Sequence, residues 1–416
     1  MARIAFITLG CKLNYAETST YERGLVDSGW EVVPRTAENA DYYLVNTCSV
    51  TEHSDKKSRN IIRKLHRTCP GADIVVTGCS AQLRKADIES LDGVVKVFGA
   101  EEKSQVVPYL LQSGAPSSDI QCGCDFFRAY STGERTRSFL KVQDGCDYKC
   151  HYCTVPYARG ASRNAPISQI VEDAGKIAAT GVKEIVITGV NTGDFGKSTG
   201  ETFFDLLKAL DKVEGIERYR ISSIEPNLLT EEIIDWIASS GKVLPHFHIP
   251  LQSGCDAILQ KMGRRYLTAD FARKTAYIRQ ALEKEGRQKV FFGIDVIVGF
   301  PGESDEMFQQ TYDFLENVIK PSFIHIFPYS RRPGTPAALL PGQVQDSIKT
   351  RRVEALEKLS ESLHGRFEKD NSGCRSKVLF ERRLPGNMAE GWSENYLRIS
   401  VPYRDGIINT IQEVTL

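Results

Sequence analysis

Short apolar runs alternate along most of this chain with longer segments whose apolar residues recur at helical spacing. Ile4–Gly10 is the first run, and helical spacing follows from Ala16 to about Ser28. Asp41–Thr47, Asp73–Gly78 and Val94–Gly99 repeat the apolar run, and a helix to about Arg67 follows the second of the four. Strands alternating with helices predict a doubly wound parallel sheet covered on both faces. The expectation is an α/β N-terminal domain over residues 1–115.

The alternation resumes at Ser138. Ser138–Gln143, Glu184–Gly189, Arg218–Ser223, His246–Leu251, Val290–Phe300 and Ser322–Ser330 read as six strands. Helical patterns fill the gaps at Ile167–Ala179, Phe203–Val213, Thr230–Ser239, Thr268–Glu285 and Ser304–Val318. Six such units predict a partial (β/α)6 barrel with its site at the carboxyl ends of the strands. With the long helix from Val344 to about Lys369, this domain spans 136–370. Residues 116–135, within a stretch rich in Gly, Ser and Pro, read as a linker. After Asn371–Gly373 come SKVLFE, YLRISV and INTIQEV, which predict a small all-β barrel over 371–416.

Composition narrows the function. The 416 residues carry zero formal net charge, so any nucleic-acid surface must be local. The most basic segment is Asp55–Arg67, with Lys56, Lys57, Arg59, Arg63, Lys64 and Arg67. A solvated helix face and a phosphate-binding patch fit it equally. No eighteen-residue apolar run appears, so no membrane association is expected. MARIAFITLGCKLN reads as a strand and its turn, not as a signal peptide. Eleven cysteines without such a signal suit a reducing, cytoplasmic setting, where clustered cysteines more often bind metal than pair.

The candidate chemistry lies in those cysteines. GCDYKCHYC, at Gly145–Cys153, sets Cys146, Cys150 and Cys153 in the spacing C-x3-C-x2-C, directly after a strand. Three thiolates can hold a 4Fe–4S cluster and leave one iron open. Cys11, Cys48 and Cys79 each follow one of the first three apolar runs, so a parallel sheet would bring them to the edge where ligands bind. They read either as buried structural cysteines or as a second three-ligand cluster, and the repeated placement favours the cluster. Cys69, Cys122, Cys124 and Cys374 read as incidental. At the other strand ends lie Thr188–Gly196, Ser222–Pro226, Pro250–Gly254, Gly299–Glu303 and Pro328–Ala337, all polar or glycine-rich.

A C-x3-C-x2-C loop after the first of six strand–helix units resembles the radical S-adenosylmethionine superfamily. The three N-terminal cysteines are similar to those of its methylthiotransferase branch. So are the ARG…R segment at Ala158–Arg163, HIPLQSGCDAILQKMGRRY at His248–Tyr266, and FPYSRRPGTPA. Thr8–Asn14, Asn46–Thr51 and Asp55–Asn60 resemble the subgroup that modifies threonylcarbamoyladenosine in tRNA. The C-terminal segment resembles the RNA-binding TRAM domain by position, although it is poor in lysine after Arg383. A merely structural cap is its alternative.

The resemblance implies two 4Fe–4S clusters, S-adenosylmethionine, and radical methylthio insertion at C2 of N6-threonylcarbamoyladenosine in an anticodon loop. It implies Tyr152 against the adenine of S-adenosylmethionine, and Gly189, Asn191, Ser223, Glu225, Gln252 and Tyr329 as further contacts. Arg159 and Arg163 would bind its carboxylate or an RNA phosphate. An electron donor such as flavodoxin or ferredoxin is expected, and a monomeric chain. The rival readings are a sister enzyme acting on isopentenyladenosine or a ribosomal protein, and a non-catalytic electron carrier or RNA-binding protein.

Overall fold

The structure is a computed structural model and describes residues 1–37, 39–111, 126–132 and 136–416. Its first part runs β1 (Arg3–Thr8), α1 (Lys12–Asp27), β2 (Glu31–Val32), β3 (Tyr42–Thr47), α2 (Glu52–Thr68), β4 (Asp73–Gly78), α3 (Cys79–Leu83), α4 (Lys85–Glu89), β5 (Val94–Val97) and α5 (Val106–Leu111). The five strands form one parallel sheet in the order β2-β1-β3-β4-β5. Successive strand side chains point to opposite faces. Ala5, Tyr43, Val45, Ile74 and Val76 pack on Ile62 and Leu65 of α2, Ala81 of α3 and Ile88 of α4. Ile4, Leu44 and Val75 pack on Tyr21 and Leu25 of α1 and Val106 and Leu110 of α5. The edge strand β2 has only two residues, too few to show an alternation in sequence.

The second part contains β6 (Ala129–Tyr130), β7 (Arg137–Lys141), α6 (Val155–Arg159), α7 (Ile167–Ala179), β8 (Glu184–Thr188), α8 (Phe203–Asp211), β9 (Arg218–Ile221), α9 (Glu231–Ser239), β10 (His246–Gln252), α10 (Asp256–Lys261), α11 (Thr268–Leu282), β11 (Phe291–Val298), α12 (Asp305–Asp313) and β12 (Phe323–Pro328). β7, β8 and β9 pair in parallel, as do β10, β11 and β12. Bridges at Tyr219–Val243 and Ser223–His248 join the two sets into a curved six-stranded wall. Leu140, Ile185, Ile187, Ile249 and Ile294 face outward into the helices. Phe139 and Val186, on the other face, receive Tyr15 and Ala16 of α1. The N-terminal part thus packs against the hollow of the wall. Ala129–Tyr130, expected in the linker, adds an antiparallel edge to β7. Cys122 and Cys124 lie outside the described residues.

α13 (Asp346–Asp370) leads to β13 (Arg375–Leu384), β14 (Met388–Ser393), β15 (Arg398–Pro402) and β16 (Ile411–Thr415), an antiparallel sheet in the order β15-β14-β13-β16. β14 was not legible, because Glu390 and Gly391 break its apolar alternation. This sheet stoppers the amino end of the barrel. Arg218 donates to the carbonyls of Lys377 and Trp392, and Arg220 to those of Ser393 and Glu394. Tyr396 stacks on Trp392 with centroids 4.4 Å apart and packs edge-on against Phe291. Among the described residues, no helix is long and apolar enough to cross a membrane.

Candidate active site

β7 delivers the chain to Gly145, whose φ of +74° is open to glycine and costly for other residues. A Cβ there would lie 2.0 Å from the carbonyl oxygen of Ala161. The chain therefore doubles back tightly, and Cys146, Cys150 and Cys153 follow on the turn. Each sulfur has a donor. The backbone N–H of Tyr148 points at Cys146 Sγ and that of Val155 at Cys153 Sγ, both at 3.4 Å. Arg264 Nη1 donates to Cys150 Sγ at 3.2 Å. Burial pushes the thiol of Cys146 up to about 11 and that of Cys153 up to about 12. A bound metal group is what would make thiolates of them at neutral pH.

Cys11, Cys48 and Cys79 sit just past the carboxyl ends of the adjacent strands β1, β3 and β4. Gly78, before Cys79, has φ +103°, and a Cβ on it would come 2.3 Å from the Thr47 carbonyl. Burial raises the Cys48 thiol to about 11 and raises that of Cys79 as well. Among the described residues, the one set of three His, Cys, Asp or Glu donors within 4.8 Å of one another is His248, Asp295 and His325. Neither cysteine triad is drawn around a single ion. The thiolate donor set of each suits an iron–sulfur cluster.

Cys79 and all three cysteines of the second loop line one cavity of about 310 Å³ at the carboxyl ends of the barrel strands. Six residues expected to contact S-adenosylmethionine line it too: Tyr152, Asn191, Ser223, Glu225, Gln252 and Tyr329. Asn191 Nδ2 and Tyr329 Oη are buried without a hydrogen-bond partner in the protein. Buried polar groups are rarely left so, and a polar ligand in the cavity would satisfy both. Gln252 holds φ at +69°, a strained backbone of the kind found at ligand walls. The cavity volume falls within the range of small-molecule sites, so the residues present fit such a cofactor. Gly189 is not on the wall. It packs behind it, where a Cβ would meet Gln143 Oε1 at 3.0 Å.

Two residues of the site were missed in sequence. Arg264 touches Cys150, Tyr152 and Tyr266 and pairs with Glu225. Arg332 is buried and donates to Ser49 Oγ and Asp55 Oδ2 at 2.8 and 2.7 Å, tying the barrel to the N-terminal part at the cavity rim. Both stand in segments already singled out, GRRY and YSRRPG, and the doubled arginine was the available signal.

Neither Arg159 nor Arg163 lines the cavity. Arg159 is buried and off the cavity wall, with Nη1 on Glu17 Oε1 and Asp144 Oδ1 at 3.2 and 2.9 Å, and with Nη2 on Asn14 Oδ1. Lys103 and Lys141 complete this cluster, at 2.9 and 2.8 Å from Glu17 Oε1. Arg163 spends Nη1 on the carbonyls of Arg159 and Ala161. The Arg159 guanidinium, so committed, has no fork left for a carboxylate or a phosphate, while Arg163 places its Nη2 3.6 Å from Asp144 Oδ2. Burial alone would raise the Glu17 carboxyl, but Lys103, Lys141 and Arg159 outweigh it and hold it well below the usual range. With Arg163 also on Asp144, two anions against four cations leave a positive excess, and Cys79 and Cys11 are among the charged neighbours of Arg159. That excess offsets the negative charge of bound thiolates.

The radical SAM superfamily model matches residues 140–315, and that of the uncharacterized protein family UPF0004 matches residues 3–99. The threonylcarbamoyladenosine tRNA methylthiotransferase MtaB of Bacillus subtilis is 37% identical over all of this chain and 94% of its own length. The MtaB of Thermotoga maritima is 36% identical over 96% of this chain and 91% of its own. A tRNA-2-methylthio-N(6)-dimethylallyladenosine synthase of Natranaerobius thermophilus is 31% identical over 90% and 85%. Among solved structures, the radical S-adenosylmethionine methyltransferase TsrM of Kitasatospora setae shares the fold. Its TM-score is 0.59 at 14% identity, covering 82% of this chain and 75% of that one. On full-length identity and two cysteine triads, the chain belongs to the methylthiotransferase family within the radical SAM superfamily.

Proposed function

We propose that this chain is a tRNA methylthiotransferase acting at C2 of N6-threonylcarbamoyladenosine beside the anticodon. One observation carries the reading: cysteines from two separate sheets face one cavity of cofactor size. An electron carrier needs neither the cavity nor two incomplete ligand sets. The full-length relatives named for threonylcarbamoyladenosine support the choice of base. We take residues 1–115, 136–370 and 371–416 as the units that build the site.

Two 4Fe–4S clusters and S-adenosylmethionine, when bound, supply the electron, the radical chemistry and the methylated sulfur. Cys146, Cys150 and Cys153 would hold one cluster, and Cys11, Cys48 and Cys79 the other. Tyr148 N–H, Val155 N–H and Arg264 stabilise the first three sulfurs as thiolates. Asn191, Ser223, Gln252 and Tyr329 present polar atoms to S-adenosylmethionine, and Tyr152 presents a ring face. Arg264 holds Glu225 by an ion pair and so orients it on the wall. Pro250, Ile297 and Phe327 keep the lower wall apolar and exclude water.

A loop adenine is already unstacked and enters without duplex opening. Val50 and Thr51 line the cavity, and α2 begins directly after them. Lys57, Arg63, Lys64 and Arg67 lie exposed along that helix. This face suits the phosphates of an anticodon stem. The reading places the chain in the cytoplasm, as a monomer, with flavodoxin or ferredoxin as electron donor.

The test is the nucleoside mass spectrum of tRNA from a deletion strain and from the same strain carrying this gene. The 2-methylthio derivative of threonylcarbamoyladenosine should vanish and return. Loss of the isopentenyl derivative instead, or of neither, overturns the reading.

A further inference from the structure

Below the cavity, the hollow of the barrel carries polar side chains that the reading above does not use. His248 on β10, Asp295 on β11 and His325 on β12 have donor atoms within 4.8 Å of one another. His248 Nε2 and Asp295 Oδ1 are 2.6 Å apart, and the rings of His248 and His325 face each other at 4.8 Å. Asp295 itself reaches the cavity wall, and Ile297 and Phe327 line it two residues further along the same strands. From α1, the half-buried Lys12 lies within electrostatic reach of Asp295 and His325. Its charged neighbours are Arg220, Arg137, Cys11 and Asp295. Arg220 and Arg137 are committed to Glu184, at 3.1 and 3.8 Å. Lys12 has no carboxylate within salt-bridge distance among the described residues.

Two histidines and one carboxylate suggest a divalent metal at first sight. The charge balance decides against it. One carboxylate already faces an unpaired ammonium, and beside them the three guanidiniums of Arg137, Arg218 and Arg220 outnumber the carboxylates of Glu184 and Glu381, so a dication would add to a positive excess. Burial with His248 alongside pushes His325 down to about 4, leaving it a neutral ring. The donors left unfilled, an ammonium and an imidazole N–H, call for an anion.

We propose that Lys12, with His325 and the His248–Asp295 pair, forms the subsite that receives the carboxylate-bearing N6 substituent of the base. This rests on the proposed function and deepens it. Lys12 meets the carboxylate, and Asp295 accepts from the ureido N–H groups. Two residues of strand rise about 6–7 Å. That depth below the cavity suits a carbamoyl amino acid reaching down from the purine edge while C2 stays between the cysteine loops. An isopentenyl group would leave the half-buried Lys12 ammonium without a partner, which disfavours it.

The experiment measures binding of the anaerobically reconstituted full-length protein to three synthetic anticodon stem-loops. One bears N6-threonylcarbamoyladenosine, one the same group with its carboxylate as a primary amide, and one N6-isopentenyladenosine. Wild type should prefer the acid to the amide by on the order of 10- to 100-fold. Lys12→Gln should bring the acid down to the level of the amide, and Lys12→Arg should keep most of the preference. Thermal melts establish that each variant is folded. Retention of the wild-type ratio by folded Lys12→Gln overturns the subsite. A wild type that prefers the threonylcarbamoyl to the isopentenyl stem-loop but ignores the carboxylate overturns the subsite alone. A wild type that prefers the isopentenyl stem-loop overturns both this and the substrate reading.

Discussion

Arg264 donates a hydrogen bond from Nη1 to Sγ of Cys150 across 3.2 Å, while its Nη2 is paired with Glu225. One side chain thus joins a cysteine of the C-x3-C-x2-C loop to the cavity wall. A donor to sulfur draws electron density off the thiolate and makes the cluster easier to reduce. Arg264→Gln should lower the reduction potential of the reconstituted cluster, as read by a potentiometric titration followed by EPR. An unchanged potential with full iron content would remove Arg264 from that role.

The two triads should separate by their products. Changing Cys146, Cys150 and Cys153 together to Ala should halve the anaerobic iron content and abolish 5′-deoxyadenosine formation. Changing Cys11, Cys48 and Cys79 to Ala should also halve the iron, but spare 5′-deoxyadenosine while stopping methylthio transfer. Both quantities are read by iron assay and chromatography of the reaction mixture.

Glu17 answers three cations at the seam between the N-terminal part and the barrel. Glu17→Gln leaves Lys103, Lys141 and Arg159 facing Asp144 alone, and should cost about 3–5 kcal/mol in chemical denaturation. Lys103→Met leaves Lys141, Arg159 and Arg163 to answer Glu17 and Asp144 and should cost less. The folded Glu17 carboxyl lies below its ordinary 4.5. Its contribution is therefore present above that pH and is lost as pH falls through the folded value. Glu17→Gln should flatten this acid limb of the stability profile.

The exposed cations of α2 predict a salt signature. Replacing Lys57, Arg63, Lys64 and Arg67 with Ala should weaken stem-loop binding for every sequence alike. The slope of log affinity against log salt should shrink by about 0.7–0.9 for each phosphate that is no longer neutralised. Fluorescence anisotropy across a salt series checks it, and cleavage of S-adenosylmethionine without RNA should be untouched.

Tyr396 stoppers the barrel between Trp392, Phe291 and His246, with the Arg220 guanidinium 4.6 Å from its ring centroid. Tyr396→Ala should cost roughly 2–4 kcal/mol. Barrel and C-terminal sheet should still melt together in a single, lower transition, because that sheet is built into the barrel's end. A separate transition for the sheet would mean that it is an independent appendage.

The cysteine loop was legible because covalent spacing alone brings Cys146, Cys150 and Cys153 together. Cys11, Cys48 and Cys79 were legible because parallel strands share one ligand edge. Helix Ile167–Ala179 was read to the residue from its apolar period. Charge was the blind spot. Nothing near Glu17, Lys103 or Lys141 in sequence marks them as buried, since burial of a charge depends on partners up to 142 residues away. Arg159 was read as a ligand contact for the same reason: locally, a buried arginine and a binding arginine look alike. Arg264 was overlooked because its distant partners come from two other loops.

The seam has a consequence for biogenesis. Glu17 and Lys103 both belong to the first 111 residues and neutralise each other there, so that part can fold as it leaves the ribosome. Lys141, Asp144 and Arg159 emerge later and pair among themselves. Neither cysteine triad straddles the seam. Each half can therefore be loaded with its own iron and sulfur before the halves meet, and docking then merges two finished centres around a shared chamber.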